Sequence, residues 1–244
     1  MALYRDEGLV LRTAKLGEAD RIITMLTCNH GRVRAVAKGV RRLKSRFGGR
    51  LEPFMRVDLL IATGRSLDVI SQASTISPYA DHISADYDVY LAANLVGETA
   101  DKLFQSLEEP SAAQYRLAVA AVSALSRHLH HPEHIGFSYM LRALALAGWR
   151  PRLDACVVCA SQENAKLTAF SIASGGVMCS SDRTPDAHTI SGDDLNCLRA
   201  LLAGDWNWLD HRQPSEQHAV VLRIIEEWAE YYLEHPIRSA RLLD

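Results

Sequence analysis

Short apolar runs, each closed by a turn signal, dominate the first 80 residues. Gly8-Leu9-Val10-Leu11-Arg12 is the first, and Lys15-Leu16-Gly17-Glu18-Ala19-Asp20 turns the chain after it. Arg21–Thr27 is rich in β-formers, and Asn29-His30-Gly31 closes a tight turn before Arg32–Ala37. In that last run Val33, Ala35 and Ala37 share one face, the candidate core face, while Arg32, Arg34 and Val36 share the other. Pairing 21–27 with 32–37 predicts a hairpin with a four-residue loop, 28–31. After a Gly-containing loop over 38–50, Phe54–Ala62 reads as a strand with Pro53 at its entry. Thr63-Gly64-Arg65 turns into a last strand, Leu67–Gln72. Five short strands with no helical pattern between most of them predict a small β-barrel, and a five-strand OB-fold is the natural candidate.

The spacing changes beyond residue 86. Apolar residues at 87, 91, 95, 96, 103, 104 and 107 follow a helical period, and further helices are expected over Ala112–Leu129, Ile135–Ala147, Asp193–Leu202 and Gln217–Leu233. The last of these places Val221, Ile224, Ile225, Trp228 and Tyr232 on one face. The expected architecture is α+β and multidomain: a five-strand barrel over 1–80, then a helical domain over 81–244. The boundary falls near 78–86, and a cysteine-bearing insertion lies at about 150–190.

Composition narrows the class. The 244 residues are 48% hydrophobic and carry 27 Lys+Arg against 29 Asp+Glu. This excludes disorder as the main state. The longest apolar stretches, such as 117–125, fall well short of the roughly 18 residues a membrane span needs. The acidic pair in the opening MALYRDEGLVLR argues against a secretory signal. Five cysteines, an odd number, argue against a disulfide framework. A soluble cytoplasmic protein is expected.

The near-neutral total hides a split. Residues 1–80 hold 14 basic and 7 acidic side chains, a balance of +7, and the rest hold 13 and 22, a balance of −9. Arg32, Arg34, Lys38, Arg41, Arg42, Lys44, Arg46 and Arg50 lie within 19 positions that contain no acidic residue. Eight like charges repel one another, and a polyanion is the obvious partner. The alternative is a solvated loop charged for solubility. Phe47 and Phe54, within or beside this stretch, are candidate base-stacking rings, with a core-strand role the competing reading for Phe54. The four tryptophans, Trp149, Trp206, Trp208 and Trp228, lie in the acidic part and read as core or interface.

Cys156-Val157-Val158-Cys159 is a C-x2-C, and Cys179 follows after nineteen intervening residues. Thiolates so spaced bind zinc tetrahedrally, and the full pattern repeats the C-x2-C after about 15–20 residues. Here Asp182 stands in the fourth slot. A carboxylate ligates zinc as well, which makes Cys156, Cys159, Cys179 and Asp182 the candidate set for a structural ion. His188 is a nitrogen alternative, and Cys197 falls in an expected helix. A metal-free knuckle and a redox pair are the competing readings. His128, His130, His131 and His134 gather around Pro132 and read as a solvated helix end. No P-loop, G-x-G-x-x-G, H-E-x-x-H or G-x-S-x-G occurs. Asp193-Asp194 after Ser191 reads as a helix N-terminus rather than an acid/base pair. A non-enzymatic protein is expected.

These segments together resemble the RecO family of bacterial recombination-mediator, DNA repair proteins. The resemblance is carried by 8–12 with Leu16-Gly17-Glu18-Ala19-Asp20-Arg21, by His30-Gly31 with Ala35-Val36-Ala37-Lys38-Gly39-Val40-Arg41-Arg42, and by Leu51-Glu52-Pro53. It continues through Gly148-Trp149-Arg150-Pro151-Arg152-Leu153-Asp154-Ala155 into Cys156–Cys159, and Gly175-Gly176-Val177-Met178-Cys179. It implies an N-terminal OB-fold, a helical C-terminal domain, and a zinc knuckle that many members have and some lack. It also implies binding of single- and double-stranded DNA and annealing of complementary strands in the RecF pathway of recombination after DNA damage. Action with RecR at DNA coated by single-strand-binding protein, so that RecA loads, and a nucleoid-associated cytoplasmic location follow too. Asp182 departs from the pattern, since zinc-binding members carry a fourth cysteine there. An RNA-binding or ribosome-associated OB-fold protein is the alternative reading, and a zinc-dependent hydrolase ranks last.

Overall fold

A computed structural model describes residues 2–107, 109–211 and 219–242. The chain divides into two compact units, one up to Leu129 and one from His130 to Leu242.

The first unit opens with the barrel. Its strands are β1 (Leu3–Leu16), β2 (Asp20–Thr27), β3 (Gly31–Ala37), β4 (Arg56–Ala62) and β5 (Asp68–Ser77). They close in the order β1-β2-β3-β5-β4, with β4 returning to pair with β1. β1 serves two neighbours: Leu3–Leu9 pair with β4, and Gly8–Leu16 pair with β2 across a bulge between Val10 and Arg12. That bulge bends the strand, which is how so long a strand can turn a barrel corner. β3 and β5 run parallel through Ala35↔Asp68 and Val36↔Val69.

The alternation in β3 is realised as expected. Val33, Ala35 and Ala37 face inward with Val57, Leu59 and Ile61 of β4 and with Val10, Ile23, Met25 and Ile70. The segment between β3 and β4 is mostly turns, yet it is held firmly, because Phe47 and Leu51 drop into the same core. Phe47 is only 1% exposed and Phe54 only 4%, so neither ring is available to stack on a base. The base-stacking reading is corrected for both, and for Phe54 the competing core reading holds, though from the turn ahead of β4 rather than within the strand. Phe47 plugs the barrel, and Phe54 meets Tyr90 edge-on with centroids 6.0 Å apart.

Three helices complete this unit: α1 (Ala80–Ile83), α2 (Tyr87–Ser106) and α3 (Ala112–Ser126). Asp86 caps α2 by accepting from the amides of Asp88 and Val89, and Ser111 caps α3 by accepting from Gln114. α2 packs on β1, β2 and β3.

The second unit contains α4 (Pro132–Leu146), α5 (Gly192–Ala203), α6 (Trp206–Leu209) and α7 (Ala219–Leu233). Pro132 starts α4 at a position where its missing N–H would be unpaired anyway. Ser191 and Asp194 form a capping box on α5, the role expected of that carboxylate pair's neighbourhood. The face of α7 that the sequence picks out is buried except at the half-buried Tyr232: Trp228 meets Phe170 edge-on, and its Nε1–H donates to the carbonyl of Trp149 at 3.0 Å. Gln217 and His218, the first two residues of the expected last helix, lie outside the described residues.

The inserted segment holds a small sheet that the sequence reading omits: β6 (Leu167–Ser171), β7 (Gly176–Cys179) and β8 (His188–Thr189), in the order β7-β6-β8. A β-carbon on Gly176 would lie 2.2 Å from the carbonyl oxygen of Arg152, so only glycine lets these two backbones meet. Their contact continues as Val177 N–H to Arg152 O at 2.9 Å and Val157 N–H to Val177 O at 2.9 Å, which docks the C-x2-C turn against β7.

Candidate functional site

The eight cations do not share one environment. Arg32 is half-buried, and its Nε donates to Asp101 of α2 at 2.5 Å; Arg12 donates to the same carboxylate at 2.7 Å. Arg32 is therefore held by a carboxylate, though Asp101 neutralises only one of the two arginine charges it binds. Arg34, Lys38, Arg41, Arg42, Lys44, Arg46 and Arg50 are exposed, and no carboxylate pairs with any of these seven among the described residues.

The contacts that do hold them use neutral partners. Arg41 donates to the carbonyl of Glu18 at 2.8 Å. Arg46 lies over the Phe47 ring, 4.8 Å from its centroid. Arg50 donates to the carbonyl of Arg46 at 3.0 Å. The loop is pinned at its start by Gly39 N–H to Asp20 at 2.7 Å and Arg41 N–H to Ala19 O at 3.0 Å, and further on by the buried Phe47 and Leu51. Buried anchors with uncompensated cations between them leave a positively charged surface whose field is not cancelled locally.

A cleft of 580 Å³ opens at one side of the barrel, bounded by Tyr4, His30, Arg34 and the hairpin residues Thr63, Ser66 and Asp68. The Tyr4 and His30 rings touch, with centroids 4.4 Å apart and planes at 37°. The Tyr4 hydroxyl donates to Asp68 at 2.6 Å, and Asp68 also accepts from the amide of Gly64 at 3.0 Å. Burial, with the Asp68 carboxylate beside it, pushes the Tyr4 phenol up, which keeps it a donor. His30 Nδ1 lies 2.5 Å from Asp6, a buried carboxylate that also accepts from the Asn29 amide and side chain and from the Glu7 amide. Burial alone would raise Asp6, but these hydrogen bonds outweigh it and hold the carboxyl below its ordinary value. Sequence reasoning missed this cleft. Its members are spread from residue 4 to residue 68; Arg32 and Arg34 belong to the cationic run and His30 to the tight turn before it, but no local pattern joins them to Tyr4, Thr63, Ser66 or Asp68.

In the second unit the four candidate metal ligands come together. One donor atom from each of Cys156, Cys159, Cys179 and Asp182 lies within 4.8 Å of every other. Cys159 Sγ is 3.6 Å from Cys179 Sγ. Sulfurs on one tetrahedral zinc, each at about 2.3 Å, stand about 3.8 Å apart, so the pair already has the spacing the ion requires. The thiols of Cys179 and Cys156 donate to Asp182 at 2.9 and 3.3 Å. Burial raises Cys156, but backbone amides of Cys159, Cys179 and Val158 outweigh it and hold its thiol low. The Asp182 hydrogen bond pushes Cys159 up to about 12, and the three thiols in return hold Asp182 low. The donor set is chemically suited to zinc, three soft sulfurs and one carboxylate, closed to an open coordination position.

Neither alternative ligand joins this set. His188 Nε2 bonds Glu227 at 2.7 Å, and Cys197 is buried in α5 outside the cluster. Of the histidines near Pro132, His130 stacks on Trp206 at 4.3 Å and bonds Asp210 at 2.8 Å, while His134 is buried. Among the described residues no helix is long and apolar enough to cross a membrane.

Comparison with known proteins places both parts of the chain. Residues 1–79 match the family described as Recombination protein O N terminal, and residues 84–241 match Recombination protein O C terminal. A DNA repair protein RecO of Bifidobacterium adolescentis is 60% identical over 250 residues, covering all of both chains. Proteins of the same description are 49% identical in a Nocardioides species, over 85% of this chain and 86% of that one, and 42% identical in Streptomyces griseus, over the whole of both.

Proposed function

The chain belongs to the RecO family of DNA repair proteins, and from that membership we propose that it is a DNA-binding recombination mediator that anneals complementary single strands. With RecR, it helps RecA load onto DNA coated by single-strand-binding protein. The observation that carries this reading is the set of seven exposed cations with no carboxylate partner, on β3 and the loop that follows it. The barrel domain, residues 1–80, is the DNA-binding part.

Annealing forms no covalent bond, so the protein works without a catalytic residue. Two strands repel through their phosphates. A surface that neutralises both lets the bases meet, and the energy released by pairing drives the product off the weaker single-strand site. Contacts to phosphates are indifferent to sequence, which suits a protein that must act wherever a strand is exposed. The anchored loop keeps the cations in place between encounters, so little ordering entropy is lost on binding.

Zinc at Cys156, Cys159, Cys179 and Asp182 supplies cross-linking only. It ties the C-x2-C turn to β7, and it does so remote in sequence from the cationic run. The protein acts at the nucleoid in the cytoplasm. The test is to mix two complementary labelled oligonucleotides with and without the chain, in the absence of ATP. Faster duplex formation supports the reading. Binding without acceleration refutes annealing, and a preference for RNA over DNA of the same sequence points to an RNA-binding role instead.

A further inference from the structure

We propose that the cleft between Tyr4, His30 and Arg34 takes one unstacked nucleotide of a single strand, its base against the Tyr4–His30 pair and its phosphate at Arg34; this rests on the DNA-binding reading above. The volume, 580 Å³, is of the size that holds one small ligand (roughly 300–1,000 Å³). The two rings are fixed in advance. Tyr4 is held through its hydroxyl by Asp68, and His30 through Nδ1 by Asp6. The Tyr4 hydroxyl and His30 Nδ1 are therefore engaged, which fixes the rings and leaves their exposed ring surface to a ligand already ordered. Every nucleobase has a face to lay against it, so the site tolerates any sequence.

The charges decide the orientation. Asp68 lines the cleft beside the Tyr4 hydroxyl and Asp6 holds His30; both carboxylates are satisfied by hydrogen bonds and repel a phosphate from the Tyr4–His30 side. Arg34 is exposed and without a carboxylate partner among the described residues. A phosphate therefore enters at Arg34, which is also the first exposed member of the cationic run that continues to Arg50. Thr63 and Ser66 supply hydroxyls at the rim for the base edge. A paired base is stacked on both sides and cannot enter, so the cleft acts on single strands and leaves duplex binding to the loop cations.

Two measurements on the full chain test this. The first is photo-crosslinking of a ten-nucleotide oligothymidylate carrying 5-iododeoxyuridine, with the modified peptides mapped by mass spectrometry. Crosslinks at Tyr4 or His30 are expected; crosslinks confined to 38–50 overturn the cleft while leaving DNA binding intact. The second compares His30→Ala with His30→Phe. Both lose the bond to Asp6, but only the phenyl ring restores a stacking surface. The alanine variant should weaken oligothymidylate binding about fivefold or more and change duplex binding by less than about twofold, with the phenylalanine variant near wild type. Equal behaviour of the two variants on the oligothymidylate overturns the proposal. Failure of the unaltered chain to bind either DNA overturns the DNA-binding reading and the cleft with it.

Discussion

Replacing Arg41, Arg42 and Lys44 together by alanine removes three exposed cations and one exposed hydrogen bond, from Arg41 to the carbonyl of Glu18, but no buried side chain. None of the three side chains is buried, and none pairs with a carboxylate among the described residues. The fold should be unaffected, because the loop is anchored by Phe47 and Leu51 rather than by these residues. Each phosphate neutralised on a single strand contributes about −0.7 to the slope of log K against log salt. If about five of the seven exposed cations touch phosphates, the unaltered chain has a slope of roughly −3.5, and the triple variant one of roughly −1.4. At about 0.1 M salt, three lost contacts correspond to roughly a hundredfold weaker binding, since each is worth about 0.7 log units per decade of salt. The assay is fluorescence anisotropy of a labelled single strand titrated from low to high salt, on several sequences. The loss should be alike on all of them. A variant that melts like the parent yet keeps the parent's slope places the phosphate contacts elsewhere and refutes the assignment.

The anchoring itself is testable. Phe47→Ala empties a fully buried site in the barrel core and should cost about 3–5 kcal/mol, read as a lower urea midpoint; a cost below about 1 kcal/mol would mean that the ring is not the plug. Asp6 is held below its ordinary value, so its contribution to stability is full above about pH 4 and is lost as pH falls through the lowered folded value. Asp6→Asn should therefore flatten the acid limb of the Tm-against-pH curve, and an unchanged limb would assign the acid sensitivity to other carboxylates. Added zinc should raise Tm of the metal-free chain, with a smaller rise for Asp182→Ala. Equal shifts in the two would remove Asp182 from the ligand set.

The barrel was legible because short apolar runs between turn signals mark most of its strands, with a clean alternation in β3 at Val33, Ala35 and Ala37. Strand ends were less so. β1 begins at Leu3 and ends at Leu16, because its polar ends still pair with β4 and β2, and backbone pairing leaves no mark on side-chain pattern. The cysteine cluster was legible from spacing alone, since the β7 end and the C-x2-C turn need only local geometry to meet. Phe47 was misread because its neighbours are cations. Its burial is decided by the barrel interior it reaches, which the local sequence does not record. The pairing of Arg32 with Asp101 spans 69 residues, and that of Tyr4 with Asp68 spans 64, so neither had any local signal. Long-range pairs of this kind decide which cations are free and where a cleft forms, and they emerge only with the fold.

The most direct measurement is strand annealing under the conditions of the proposed task. Two complementary oligonucleotides are coated with the cognate single-strand-binding protein and mixed without ATP, with the unaltered chain or with the Arg41/Arg42/Lys44 alanine variant. Acceleration by the unaltered chain that is lost in the variant is the expected result. Equal acceleration by both, or none by the unaltered chain while it still binds DNA, would contradict the claim that these cations bring the strands together.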